Sequence, residues 1–214
     1  MTIIDSIAHQ LTLIAENTQP AVVAIAGAAD LGKSTIANQL AGTLSQSGVP
    51  SSVLSLDSYL MNRCDRMARD ISGYQPQAYQ LHTARSDIES WWAGSGIKVA
   101  TYDHERGEVS GEEVIVPAGT ILIVEGLHAM HELLIPLVHF SIFLETDDQQ
   151  LTAIRLQADF EKRNQTLDFA RRQAATEMQR YKCFVAPYQQ QANLILRLVE
   201  PWDYQITHVE SSMS

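Results

Sequence analysis

Two kinds of hydrophobic pattern alternate along the chain. "AVVAIAG" (21–27), "TILIVEG" (120–126) and "HFSIFLET" (139–146) are short, nearly continuous apolar runs, as expected of strands buried on both faces. Between them, apolar residues recur at intervals of three and four, the period of an amphipathic helix. Ile3, Ile4, Ile7, Leu11 and Ile14 predict a packed N-terminal helix. Residues 33–46 predict a second, with Gly48 closing it at the position past its cap. Residues 83–94 predict a third, with Thr83 as N-cap. "SSVLSLD" (51–57), "IKVATYD" (97–103) and "ANLILRL" (192–198) read as further strands, and "GEVSGEEVIVP" (107–117) as a hairpin excursion. Residues 148–190 read as a long helical region interrupted near Asn164, and "DYQITHV" as a tail strand. Strands alternating with helices imply an α/β fold, a mostly parallel sheet with helices on both faces. No internal repeat, low-complexity segment or linker breaks the pattern, so a single domain over 1–214 is expected.

Composition narrows the partners. The 214 residues suffice for one full core, and 45% hydrophobic with 19% charged residues is an ordinary globular balance. Every apolar run is too short to cross a membrane. "MTIIDSIAHQL" has no basic n-region and carries Asp5, so no signal peptide is expected. Cys64 and Cys183 are too few for a disulfide framework or a zinc site, and a cytoplasmic location is the expectation. The net charge of -10 argues against a nucleic-acid partner. A small anionic substrate remains compatible with it, and a homo-oligomer is left open.

The chemistry begins where the first strand meets the second helix. Gly27, Gly32, Lys33 and Ser34 satisfy G-x-x-x-x-G-K-[ST] in the required strand–loop–helix context. Such a loop turns successive backbone N–H groups toward phosphate oxygens, and the helix start adds its positive dipole end. The expected ATP-binding residues are Gly27, Ala28, Ala29, Asp30, Leu31, Gly32, Lys33, Ser34 and Thr35. Lys33 would reach the β- and γ-phosphates, and Ser34 would offer its hydroxyl to Mg²⁺. Asp30 is unusual, because a carboxylate inside the loop opposes phosphate unless it points away. Asp57 and Glu125 close two predicted strands at the ligand-binding edge of a parallel sheet. Phosphoryl transfer to a hydroxyl needs a base near the acceptor and carboxylates around the metal; Asp57 fits the first role and Glu125 the second. No N-K-x-D segment for guanine is present.

From about Val22 to Leu196 the chain resembles the phosphoribulokinase/uridine kinase family of P-loop kinases. The P-loop, "SLDSYLMNR", "GYQPQAYQL", "TYDHERGEV", "ILIVEGLHAM", "IRLQADFEKRNQTLD" and "RYKCFVAPYQQQANLIL" carry the resemblance. It implies a P-loop NTPase fold with a small hairpin and a helical lid at about 155–168. It implies Asp57 as base toward the acceptor hydroxyl and Glu125 as metal ligand beside Ser34. Tyr79, Tyr102, Asp103 and His104 become acceptor contacts, and Arg63 matches a phosphoribulokinase arginine. Arg155 and Arg163 become lid arginines on ATP, with Arg163 sharing catalysis with Lys33 and Asp57. Arg180 falls where the family's helix approaches the lid and the acceptor. The lid has Ala158, Asn164 and Gln165 at its other motif positions. Ala158 stands where a uridine kinase has a sugar-holding arginine, and an ungapped match puts Gly107 in place of its base-reading histidine.

Several residues admit two readings. Arg63, Arg66 and Arg69 form either a substrate-phosphate patch or a solvated helix face. Trp91 and Trp92 read as packing before base stacking, and His128 as structural or substrate-binding. His131, His139 and His208 lack partners at metal spacing. Arg171 and Arg172 read as surface charge. The expected function is ATP- and Mg²⁺-dependent transfer of a γ-phosphoryl group to a hydroxyl of a sugar or nucleoside. The alternative is a nucleotide-binding regulatory module derived from such a kinase.

Overall fold

In the computed structural model, residues 2–163, 167–200 and 203–209 are described, with side chains outside 159–173 and 208–209. The elements are α1 (Ile3–Asn17), β1 (Ala21–Gly27), α2 (Lys33–Gln46), β2 (Ser51–Ser55), α3 (Arg63–Ala68), α4 (Leu81–Trp92), β3 (Ile97–Asp103) and β4 (Glu108–Val116). They continue with β5 (Ile121–Glu125), β6 (Phe140–Glu145), α5 (Asp148–Arg163), α6 (Leu167–Phe184), β7 (Leu194–Glu200) and β8 (Asp203–Val209).

The continuous apolar runs become the centre of the sheet. Every residue of β1 and β5 is buried. The main sheet has the order β2-β5-β1-β6-β7-β8. β2, β5, β1, β6 and β7 are parallel, and β8 closes one edge antiparallel. Helices flank it: α2 packs on β1, β2 and β5, and α1 packs on α2. α1 opens with a capping box in which Asp5 N donates to Thr2 Oγ1 and Thr2 N donates to Asp5 Oδ2. α2 is followed by Gly48 at φ 79 beyond its Ser47 cap, as its sequence predicts.

Three expectations need correction. Thr83 is not the N-cap of α4, which starts two residues earlier after Gln80. Leu81, Ala84, Ile88 and Trp91 form its buried stripe, so burial of Leu81 draws the helix start back. Strand 51–57 ends at Ser55, and Asp57 lies in a 3-10 turn, Leu56–Tyr59, whose first N–H groups include Asp57 N donating to Ser55 Oγ. Residues 107–117 make no hairpin of their own: β4 pairs antiparallel with β3 as a separate two-stranded sheet. The long helical region divides into α5, α6 and a 3-10 turn, Ala186–Gln191. Asn164 and Gln165 lie outside the described residues.

Candidate active site

β1 delivers the chain to the P-loop at Gly27, which has φ 139 and lies against β6. A Cβ there would stand 2.4 Å from Leu144 O, so only glycine fits. The loop closes on itself, with Lys33 Nζ donating to Ala28 O at 2.8 Å. Ser34 Oγ donates to Glu125 Oε1 at 3.1 Å. Register explains their meeting: Ile25 and Ser55 both pair with Glu125, so β2 and β5 end level and β1 runs two residues further into the loop. Burial raises the Glu125 carboxyl above its ordinary pKa, opposed by the Lys33 charge and by hydrogen bonds from Ser55 and Ser34. Burial likewise lowers the Lys33 ammonium, opposed by Glu125, Asp57 and Asp30. The two groups therefore sustain each other's charge in a partly dry site.

Ser34 and Glu125 offer the hard oxygen donors that Mg²⁺ takes. Among the described residues no group of three or more His, Cys, Asp or Glu could hold a metal ion. A cation here would draw its other ligands from phosphate and water, which is the habit of Mg²⁺ at nucleotides.

The side where the sequence places the acceptor is built by the turn after β2 and the β3–β4 hairpin. His104 Nε2 lies 3.1 Å from Asp57 Oδ2. His104 stacks edge-on to Tyr102, at 5.2 Å between ring centroids. Arg66 donates from Nε to Met61 O and from Nη2 to Tyr102 Oη. Tyr79 is buried against His128. Burial holds its hydroxyl well above the usual pKa, reinforced by Asp57 and offset by Arg66. Asp57, Tyr79, Tyr102 and His104 thus lie near one another.

Two other expected acceptor residues are engaged by the hairpin itself. Asp103 Oδ1 accepts from Glu105 N and Arg106 N, which with the Arg106 charge keeps its carboxyl below the ordinary range. Arg63 donates from Nη2 to His104 O at 2.6 Å and from Nη1 to Glu105 O at 3.3 Å. Gly107, at φ 77, packs so closely on Arg63 that a Cβ would lie 2.6 Å from the guanidinium. Arg63 and Gly107 therefore clamp the loop carrying His104.

On the opposite side, Arg155 of α5 is 5% exposed. It donates to Asp30 of the P-loop and to Glu177 of α6. Tyr204 Oη of β8 donates to Leu31 O at 2.7 Å, tying the sheet edge to the loop. Arg180 is half-buried on α6, one turn from Glu177. The side chains of Arg163, Arg171 and Arg172 lie outside the described residues. Sequence reasoning left Arg66 with two readings and missed Glu177 and Tyr204. Their contacts span 36, 22 and 173 residues, and no local pattern signals them.

Trp91 is core, with Nε1 donating to Pro117 O, whereas Trp92 is 37% exposed. His128 is fully buried beside Tyr188, with Nδ1 3.0 Å from Tyr188 Oη. No helix among the described residues is long and apolar enough to cross a membrane.

This geometry agrees with comparisons to known proteins. A chloroplastic phosphoribulokinase of Mesembryanthemum crystallinum is 22% identical over 88% of this chain and 52% of its own length. The chain thus spans about half the length of the chloroplastic phosphoribulokinases it matches. A uridine kinase of Halobacterium salinarum is 25% identical over 81% of this chain and 78% of its own. The solved D-glycerate 3-kinase of Cryptococcus neoformans shares the fold, with a TM-score of 0.69 at 12% identity over 96% of this chain and 99% of that one. The Phosphoribulokinase / Uridine kinase family model matches residues 22–204, from the second residue of β1 into β8. With the loop, the strand-end acids and the parallel sheet in place, the chain belongs to the phosphoribulokinase/uridine kinase family of P-loop kinases.

Proposed function

We propose that the chain transfers the γ-phosphoryl group of ATP to a hydroxyl of a small sugar-containing metabolite. The observation that carries this reading is the nearness of two polar pairs beyond neighbouring strand ends, Asp57 acting electrostatically on Glu125. Ser34–Glu125 stands on the phosphate side and Asp57–His104 on the acceptor side. A hydroxyl beside Asp57 and a phosphate on the loop would approach each other in line.

Lys33 leaves Ala28 O to neutralise charge growing on the transferred phosphoryl oxygens. Mg²⁺ held through Ser34 and Glu125 would supply further charge neutralisation at the phosphates. Asp57 accepts the hydroxyl proton, or orients that hydroxyl, while His104 fixes the carboxylate. Exclusion of water, which would otherwise hydrolyse ATP, would fall to the lid with Arg163 that the family resemblance implies at about 155–168, part of which lies outside the described residues.

The acceptor reading favours a pentose or phosphorylated sugar over uridine. Ala158 is buried and Gly107 is a turn glycine, and neither has a side chain that donates a hydrogen bond. Two lost donors at ~1–3 kcal/mol each amount to roughly 30- to 10⁴-fold in kcat/KM. The test is kcat/KM for ribose, ribulose 5-phosphate, D-glycerate, cytidine and uridine under the same Mg·ATP. A sugar or sugar phosphate is expected to exceed uridine by tenfold or more. Uridine winning by that factor overturns the acceptor reading. Nucleotide binding without turnover on any of them favours the regulatory module.

A further inference from the structure

A carboxylate in a phosphate-binding loop needs an explanation. Asp30 lies three residues before Lys33, at φ 61. That left-handed conformation disfavours most side chains, and aspartate is among the few that tolerate it. An uncompensated negative charge here would repel a polyphosphate through a partly desolvated medium.

The structure supplies the compensation. The forked guanidinium of Arg155 reaches Asp30 Oδ2 with Nη1 and Glu177 Oε2 with Nη2. The Arg155 side chain is 6% exposed, and those of Asp30 and Glu177 are 18% and 16% exposed. The pairing is therefore poorly screened and joins the P-loop to α5 and α6. Asp30 and Arg155 also both act on Lys33, with opposite sign.

We propose that Arg155 is the standing counter-ion of the P-loop carboxylate rather than a phosphate clamp, and that Glu177 positions it. Nucleotide affinity then depends on Arg155 only while Asp30 is charged. The inference rests on the P-loop being the nucleotide site. It gives Asp30 a purpose: the acid ties the loop to α5, and Arg155 removes the electrostatic penalty that the acid would bring.

The test is a double-mutant cycle on the Kd of Mg·ATP, measured by calorimetry on the full chain, with thermal unfolding of the nucleotide-free protein alongside. Arg155→Met is expected to weaken binding by ~10-fold or more in the presence of Asp30. The same change in an Asp30→Asn background is expected to cost less than ~3-fold, a coupling of the size known for contacting charges. Glu177→Ala should weaken binding in the same Asp30-dependent way, and Glu177→Gln should restore most of it. A clamp on phosphate predicts equal losses in both backgrounds, and that result overturns the proposal. A lowered melting temperature with no coupling in Kd overturns it as well, since that marks a merely structural contact. Should Arg155→Met fail to fold, Arg155→Lys keeps one charge without the fork and carries the same cycle. Lys33→Ala serves as the control. Wild-type protein that binds Mg·ATP no better than Lys33→Ala overturns the nucleotide reading together with this inference. Lys33-dependent binding with additive losses overturns this inference alone.

Discussion

Asp57 stands two residues past the end of β2, where Ser55 turns the chain and His104 meets the carboxylate at 3.1 Å. In the proposed reaction a residue so placed acts on the acceptor and not on the nucleotide. Asp57→Asn is expected to lower kcat by ~10² or more, the scale of a positioned base, with the Kd of Mg·ATP within ~3-fold of wild type. Kinetics of the variant beside nucleotide titration check this. Collapse of ATP affinity would instead make Asp57 a metal or structural residue. At this scale the sequence was informative wherever chemistry depends on adjacent positions. The loop from Gly27 to Ser34 is legible because its glycines, lysine and hydroxyl must follow one another closely. Asp30 was visible as an oddity, yet its pairing with Arg155, 125 residues away, and the second contact of Arg155 with Glu177 were not.

Among elements, the β3–β4 hairpin holds three of the proposed acceptor residues, Tyr102, Asp103 and His104. It forms its own two-stranded sheet and presents His104 through a loop clamped by Arg63 and shaped by Asp103. Arg63→Ala removes the clamp without touching the P-loop. It is expected to raise the acceptor KM several-fold, ~1 kcal/mol for a lost charged hydrogen bond, while the KM for ATP stays unchanged. Initial-rate measurements with each substrate varied in turn check the split. An ATP KM rising in parallel would show that the hairpin does not act on the acceptor alone. The strands with continuous apolar runs were predicted within a residue or two, because burial on both faces leaves little ambiguity. The hairpin was misdivided, because β4 is mostly exposed and carries no clean alternation. The start of α4 was misplaced, because packing of Leu81 outweighs the capping preference of Thr83.

For the whole molecule, acid stability is tied to buried histidines. His128 is fully buried, and burial, helped by the His131 charge, pushes its pKa down to about 3. Burial also lowers His131 and His139. Between the ordinary histidine pKa and about 3, the unfolded chain takes up a proton that folded His128 refuses. Stability therefore falls as pH drops from about 6.5, by ~1.4 kcal/mol per pH unit for this group. Chemical denaturation at pH 7 and pH 5 is expected to show a loss of ~2 kcal/mol from His128, and His128→Phe should flatten that limb. An equal slope in the variant would refute the assignment. The central claim, phosphoryl transfer from the P-loop to an acceptor hydroxyl, is tested most directly with ATP labelled at the γ-phosphate. Protein is incubated with Mg²⁺ and a mixture of pentoses, pentose phosphates, D-glycerate and nucleosides, and label in organic phosphate esters is followed for wild type and Lys33→Ala. Ester label is expected in wild type, with a fall of ~10²-fold or more in the variant, because Lys33 is the proposed cation at the transferred group. Equal ester label in both proteins, or label released only as inorganic phosphate, would contradict it.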